Sequence, residues 1–148
     1  MSAQTTAPPV LRTVTVAVDA ERAFEVFTRR IGDWWPLQRY SCFEEDATGV
    51  VFEAERIVER SKSGEEAVWG EILAWEPPFR IAFTWHPGAE AGAPMTEVEV
   101  RFRPQGGSTV VELEHTGWER LGTDWEETRS QYENGWPGVL ERYAGATA

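Results

Sequence analysis

Few side chains in this sequence are equipped for chemistry, and those few sit among aromatic residues. His115 closes an alternating run in which Val111, Leu113 and His115 share one face of a strand. An imidazole there serves either as a general acid or base near neutral pH, or as a buried ring tied by hydrogen bonds at the strand end. The tie is the favoured reading, because Glu112 and Glu114 point to the opposite face and leave the ring without an orienting partner. His86 precedes Pro87 at a loop mouth, where a rim position is expected. Glu71 depends on which way its strand turns. Trp69, Glu71, Leu73 and Trp75 share one face, and Val68, Gly70, Ile72 and Ala74 share the other. If the tryptophan face looks inward, Glu71 enters an apolar cavity, desolvation raises its pKa, and it becomes a polar anchor or acid. If the glycine face looks inward, Glu71 is solvated. Exposed indoles are costly, so the reading leans to the tryptophan face.

Metal chemistry is not indicated, since neither HxxH, HExxH nor a cysteine pair occurs, and no cofactor is expected. Glu44, Glu45 and Asp46 read as a solvated acidic turn. Cys42, the single cysteine, excludes an intrachain disulfide and carries no nucleophile signature, so a buried or half-buried structural thiol is expected. Gly106-Gly107 is a hairpin turn without a phosphate-binding context. The distinctive feature is eight tryptophans in 148 residues, which suit a heavily aromatic core or an aromatic-lined cavity. Trp34-Trp35 stands before Pro36, and Tyr132 and Trp136 lie one helical turn apart, so the four rings are candidates for a clamp over a pocket.

The bulk properties narrow the partners. With 41% apolar and 26% charged residues the chain is a folding one, and its net charge of −11 repels nucleic acid and anionic membrane. The sequence holds neither an apolar run of the roughly 18 residues a span needs nor a signal-peptide pattern at its start, so a cytoplasmic protein is expected.

The elements that must position these residues follow from periodicity. Residues 1–9 read as a mobile tail, and 10–145 as one domain. Residues 10–18 alternate as a strand, and Asp19 caps a short helix with the stripe Phe24, Phe27, Ile31, ended by Gly32 and Pro36. Strands are expected near 41–45, 50–60, 66–76, 79–86, 96–104 and 108–116, with short glycine- or proline-bearing links that favour antiparallel pairing. Thr123 and Glu126 fit a capping box for a C-terminal helix of about 18 residues. Its stripe runs Trp125, Arg129, Tyr132, Trp136, Val139 or Leu140, Tyr143, and Gly135 and Pro137 should loosen it. Such a stripe needs a curved sheet to bury it, which makes the class α+β.

This order, together with five local motifs, resembles the helix-grip fold of the START-like superfamily, the polyketide cyclase/SRPBCC group. The motifs resemble its branch named for the activator of the heat-shock protein 90 ATPase. They are Ile31-Gly32-Asp33-Trp34-Trp35-Pro36, Trp69-Gly70-Glu71 running to Glu76-Pro77-Pro78, Phe83-Thr84-Trp85, His115-Thr116-Gly117-Trp118 and Gly135-Trp136-Pro137-Gly138-Val139-Leu140. The resemblance implies a curved antiparallel sheet wrapped around the C-terminal helix, with a cavity between them for a small apolar, aromatic or amphipathic molecule. Its expected contacts are Trp34, Trp35, Trp69, Phe83, Trp85, Tyr132 and Trp136, with Glu71 and His115 as polar anchors. A module that stimulates a chaperone ATPase, and a cyclase- or hydrolase-like enzyme using the same cavity, are the alternatives. A monomer or homodimer is expected.

Overall fold

A computed structural model describes residues 7–37, 40–53, 55–86 and 94–147. The alternating start forms β1 (Val10–Val16), which buries Val10 and Val16 and exposes Leu11 and Thr15. Asp19 caps α1 (Ala20–Thr28), its carboxylate accepting the Arg22 N–H at 2.9 Å. The stripe Phe24, Phe27, Ile31 is buried, but the chain interrupts it at Arg29-Arg30 and resumes as α2 (Ile31–Trp34).

Seven strands are present among the described residues, though the first part of the sheet is divided differently from expectation. The strand expected at 41–45 is absent, and Glu44–Asp46 makes a single 3-10 turn there. The run 50–60 is a hairpin, β2 (Ala47–Glu53) and β3 (Arg56–Ser61), reversing at Glu55 with φ of 62°. A glutamate in left-handed backbone carries no glycine or asparagine signal, which is why the turn was hidden. Then come β4 (Glu66–Glu76), β5 (Arg80–Trp85), β6 (Thr96–Gln105) and β7 (Ser108–Thr116). The order β1-β7-β6-β5-β4-β3-β2 is antiparallel throughout, and the sheet curls around the C-terminal helix.

Two irregularities in β4 decide which side chains face the helix. Pairing with β3 shifts between Ile57 and Val58, so Trp69 has no partner and Gly70 lies opposite Ile57. Pairing with β5 shifts again between Ile72 and Ala74, leaving Leu73 unpaired. The result is that Trp69 and Gly70 are both buried while Glu71 and Leu73 are exposed. Glycine is required at 70, because a Cβ there would lie 1.7 Å from the Thr84 carbonyl oxygen. Thr84 also accepts the Glu71 N–H on its hydroxyl at 2.8 Å. The motif Trp69-Gly70-Glu71 is therefore a bulged crossing of two strands.

The C-terminal helix α3 (Trp125–Thr147) is the longest element, at 23 residues. Its first turn closes by a Trp125 N–H bond to the Gly122 carbonyl at 3.4 Å, and the Thr123 hydroxyl makes no capping bond among the described residues. Tyr143 donates to the Ala23 carbonyl at 2.7 Å and Arg142 to the Trp34 carbonyl at 3.0 Å, fastening the helix to α1 and α2. Residues ahead of β1 are fastened as well: Ala7 is buried, and Arg129 donates to the carbonyls of Pro8 and Pro9 at 2.8 and 2.9 Å. The expected tail therefore does not extend over residues 7–9, and its first six residues lie outside the described ones.

Helix α3 runs through Pro137 without ending. Proline has no N–H for the carbonyl four residues back, which belongs to Glu133. Arg12 on β1 takes that carbonyl instead, its Nη2 donating at 2.9 Å. Arg12→Met should therefore cost about 1–3 kcal/mol in urea denaturation, the expense of a carbonyl left without a partner. The loss should shrink when Pro137→Ala restores the helical N–H. Equal losses in both backgrounds would show that the two features are independent.

Candidate functional site: a tryptophan-walled pocket

A cavity of about 440 Å³ lies between the sheet and α3. The strands contribute Trp69 and Trp85, the segment after α2 contributes Trp35, Tyr40, Ser41 and Cys42, and α3 contributes Gln131, Tyr132, Gly135, Trp136 and Val139. The rings brace one another: Trp35 stands 5.0 Å from Trp69 and 5.8 Å from Trp85, and Trp85 stands 5.9 Å from Trp136. Each of these four indoles spends its only donor on the protein. Trp35 donates to the Tyr40 carbonyl at 2.8 Å, Trp69 to Glu59 at 3.0 Å, Trp85 to the Tyr132 hydroxyl at 2.8 Å and Trp136 to His115 Nδ1 at 3.0 Å. The tryptophan wall thus offers a guest π surface rather than donors.

Of the nine side chains expected at a ligand, Trp35, Trp69, Trp85, Tyr132 and Trp136 line this pocket. Trp34 lies behind it, buried against Phe27 and Tyr143, with its N–H on the Val26 carbonyl at 2.8 Å. Phe83 is likewise buried, packed on Phe52 and Trp85. Glu71 corrects the expectation outright. The bulge at Trp69 breaks the period of two, so the indole turns inward without bringing Glu71 along, and the carboxylate is exposed opposite Arg56.

His115 is fully buried and outside the pocket lining. An indole N–H can only donate, so Nδ1 must accept from Trp136, which places the ring proton on Nε2. Nε2 then donates to Thr96 Oγ1 at 2.6 Å, and the Thr96 hydroxyl donates to the Trp85 carbonyl at 3.2 Å. Burial pulls the His115 pKa down to about 3. With both nitrogens engaged and the ring neutral, this is a structural tie, and it has nothing left to offer a guest as an anchor.

One polar residue went unseen in the sequence. Glu59 on β3 is fully buried and meets no cation among the described residues. Its carboxylate accepts the backbone N–H groups of Cys42 and Phe43 at 2.7 and 3.0 Å, and the Trp69 indole N–H. Three donors offset the cost of burying the charge, and in return they hold the pocket wall at 40–43. The available signal was its place in the inward alternation Ile57, Glu59, Ser61. Cys42 is exposed, not buried or half-buried as expected; partial desolvation, and after it the Glu59 charge, push its thiol up to about 11, so it is a poor nucleophile at neutral pH. Among the described residues no group of three or more His, Cys, Asp and Glu could hold a metal, and no helix is long and apolar enough to cross a membrane.

A curled antiparallel sheet closed on a long helix, with an aromatic pocket between them, defines a helix-grip domain of the START-like, or SRPBCC, kind. The chain belongs to the family described as activator of Hsp90 ATPase homolog 1-like protein, which matches residues 17–146. Among solved structures it is similar to the anthrahydroquino-γ-pyrone synthase Txn09, at 36% identity, with 95% of this chain and 97% of that one covered and a TM-score of 0.65. It is also similar to CalC, a self-sacrificing resistance protein from Micromonospora echinospora, at 25% identity, 95% and 94% coverage and a TM-score of 0.64. An Hsp90 activator from Plasmodium falciparum, at 22% identity, 75% and 74% coverage and a TM-score of 0.50, shares the fold. No curated protein matches the chain.

The His115 tie has a pH signature. Its pKa falls from the usual 6.5 to about 3 on folding, so between these values the unfolded chain binds a proton that the folded chain does not. Its contribution is complete above about pH 6.5 and is lost as pH falls toward 3. Wild type should lose up to about 1.4 kcal/mol per pH unit more than His115→Gln across that window, read from denaturation midpoints. Parallel pH profiles would show that the ring titrates normally.

Proposed function

We propose that the chain binds a planar aromatic small molecule in the pocket between sheet and α3, with Trp35, Trp69, Trp85, Tyr132 and Trp136 as its contacts. The observation that carries this reading is the lining: four indoles with their donors spent, around a volume of about 440 Å³, suited to stacking a polycyclic guest. The 36% identity with a synthase of an anthrahydroquino-γ-pyrone supports an aromatic polyketide-like guest. The same likeness favours a second reading, in which ring closure is promoted in this pocket. The chaperone-activating reading rests on the family's description and on a structure that shares only the fold. A monomer or homodimer acting in the cytoplasm completes the proposal.

Gly135 supplies the test. It lines the pocket from inside a helix, where glycine is about 1 kcal/mol worse than a good helix former. A Cβ there would meet the far end of Tyr40, its hydroxyl at 3.2 Å and Cζ at 3.7 Å, which is flexible enough to give by a few tenths of an ångström. Gly135→Leu should therefore fill the pocket while leaving the melting temperature unchanged or raised. Quenching of tryptophan emission by anthracene-2-sulfonate should show wild-type binding, and affinity should fall more than about tenfold, or ~1.4 kcal/mol, in the variant. Undiminished affinity in the folded variant would move the binding site elsewhere.

A further inference from the structure

Among the polar side chains lining the pocket, Tyr40, Ser41, Gln131 and Tyr132, the Tyr132 hydroxyl is the one bonded to the tryptophan wall. Trp85 can only donate, so the Tyr132 hydroxyl oxygen is the acceptor of their 2.8 Å bond, and the hydroxyl hydrogen must point elsewhere. Among the described residues it meets no acceptor. The ring is held in place, 5.0 Å from His115 and 5.5 Å from Trp118, so the oxygen has a fixed position in the pocket wall. Burial raises the Tyr132 pKa, which keeps the group protonated and a donor through the physiological range. Accepting from an indole also polarises the O–H toward a stronger donor.

We propose that the Tyr132 hydroxyl donates to an oxygen carried on the ring system of the guest, a ring carbonyl or a phenolate, so that the pocket selects oxygenated polycycles over the bare hydrocarbon. This rests on the pocket being a ligand site. The four spent indoles sharpen the selection, because a carbonyl placed against them finds no partner, whereas one placed at Tyr132 does. Trp85 has a separate duty as a positioning residue, since it orients the hydroxyl without itself touching the guest oxygen.

Two soluble probes with the same rings and the same charge, anthraquinone-2-sulfonate and anthracene-2-sulfonate, differ by two carbonyl oxygens. Wild type should bind the quinone about tenfold more tightly, measured by quenching of tryptophan emission. Tyr132→Phe should erase that preference, the quinone losing about tenfold more affinity than the hydrocarbon. Trp85→Phe, which keeps the hydroxyl but removes the bond that orients it, should weaken the preference without erasing it. A preference that survives Tyr132→Phe, or one lost only in Trp85→Phe, overturns the assignment. Equal wild-type affinity for the two probes overturns it without any variant, so the test does not depend on Tyr132→Phe folding. If wild type binds neither probe, the ligand reading of the pocket fails together with this one.

Discussion

The imidazole of His115 holds two elements at once, accepting from Trp136 on α3 and donating to Thr96 on β6, and the position of the helix over the sheet depends on both bonds. The bond from Trp136 does not tolerate a charged ring, because an imidazolium has no lone pair for that N–H. The neutral state is secured by the same side chains that need it. Trp118 lies 4.1 Å from the ring and donates to the His115 carbonyl at 2.9 Å, and Tyr132 and Trp136 close the remaining sides. The tie and its dry surroundings therefore support each other, and losing either would loosen the pocket wall that α3 provides.

Tryptophan is well matched to this arrangement in a way that leucine or phenylalanine is not. Six of the eight indoles donate to a named acceptor: Trp34, Trp35, Trp69, Trp85, Trp118 and Trp136. Each bond fixes the angle of a large flat side chain, which area burial alone would leave free to slide. The acceptors are backbone carbonyls, the Glu59 carboxylate, the Tyr132 oxygen and His115 Nδ1. Glu59 thereby acts twice, setting the Trp69 ring and anchoring the 40–43 segment, so one buried charge shapes two walls of the cavity.

Much of this was legible in the sequence, and its failures have physical causes. Period-two alternation gave the inward set Val111, Leu113, His115, and the α3 stripe brought Tyr132 and Trp136 to the sheet. The Asp19 cap formed as expected, and the C-terminal helix formed too, though over 23 residues rather than about 18 and, among the described residues, without the Thr123 cap. Alternation misled where the backbone gained a residue: the bulge at Trp69 moved Glu71 to the surface while keeping the indole inside. It was blind at Glu55, where the turn uses left-handed backbone without glycine. Glu59 escaped because charge is read as exposure, and its three N–H donors come from residues 10 to 17 positions away.

The run Gly135-Trp136-Pro137 shows how the helix is adapted to a pocket rather than to its own stability. Glycine and proline inside a helix are worse than alanine by about 1 and 3 kcal/mol respectively. Gly135 lets the Tyr40 ring end approach the helix at the pocket wall, where any side chain would press on it and on the cavity. Pro137 frees the Glu133 carbonyl, which Arg12 takes, and that bond fixes α3 to β1 at the level of the pocket. Trp136 between them reaches His115 on β7. The local cost is thus converted into two long-range hydrogen bonds and a cavity. An all-alanine helix would satisfy its own carbonyls better, but it would lose the close approach of Tyr40 at 135 and the reason for Arg12 to reach across.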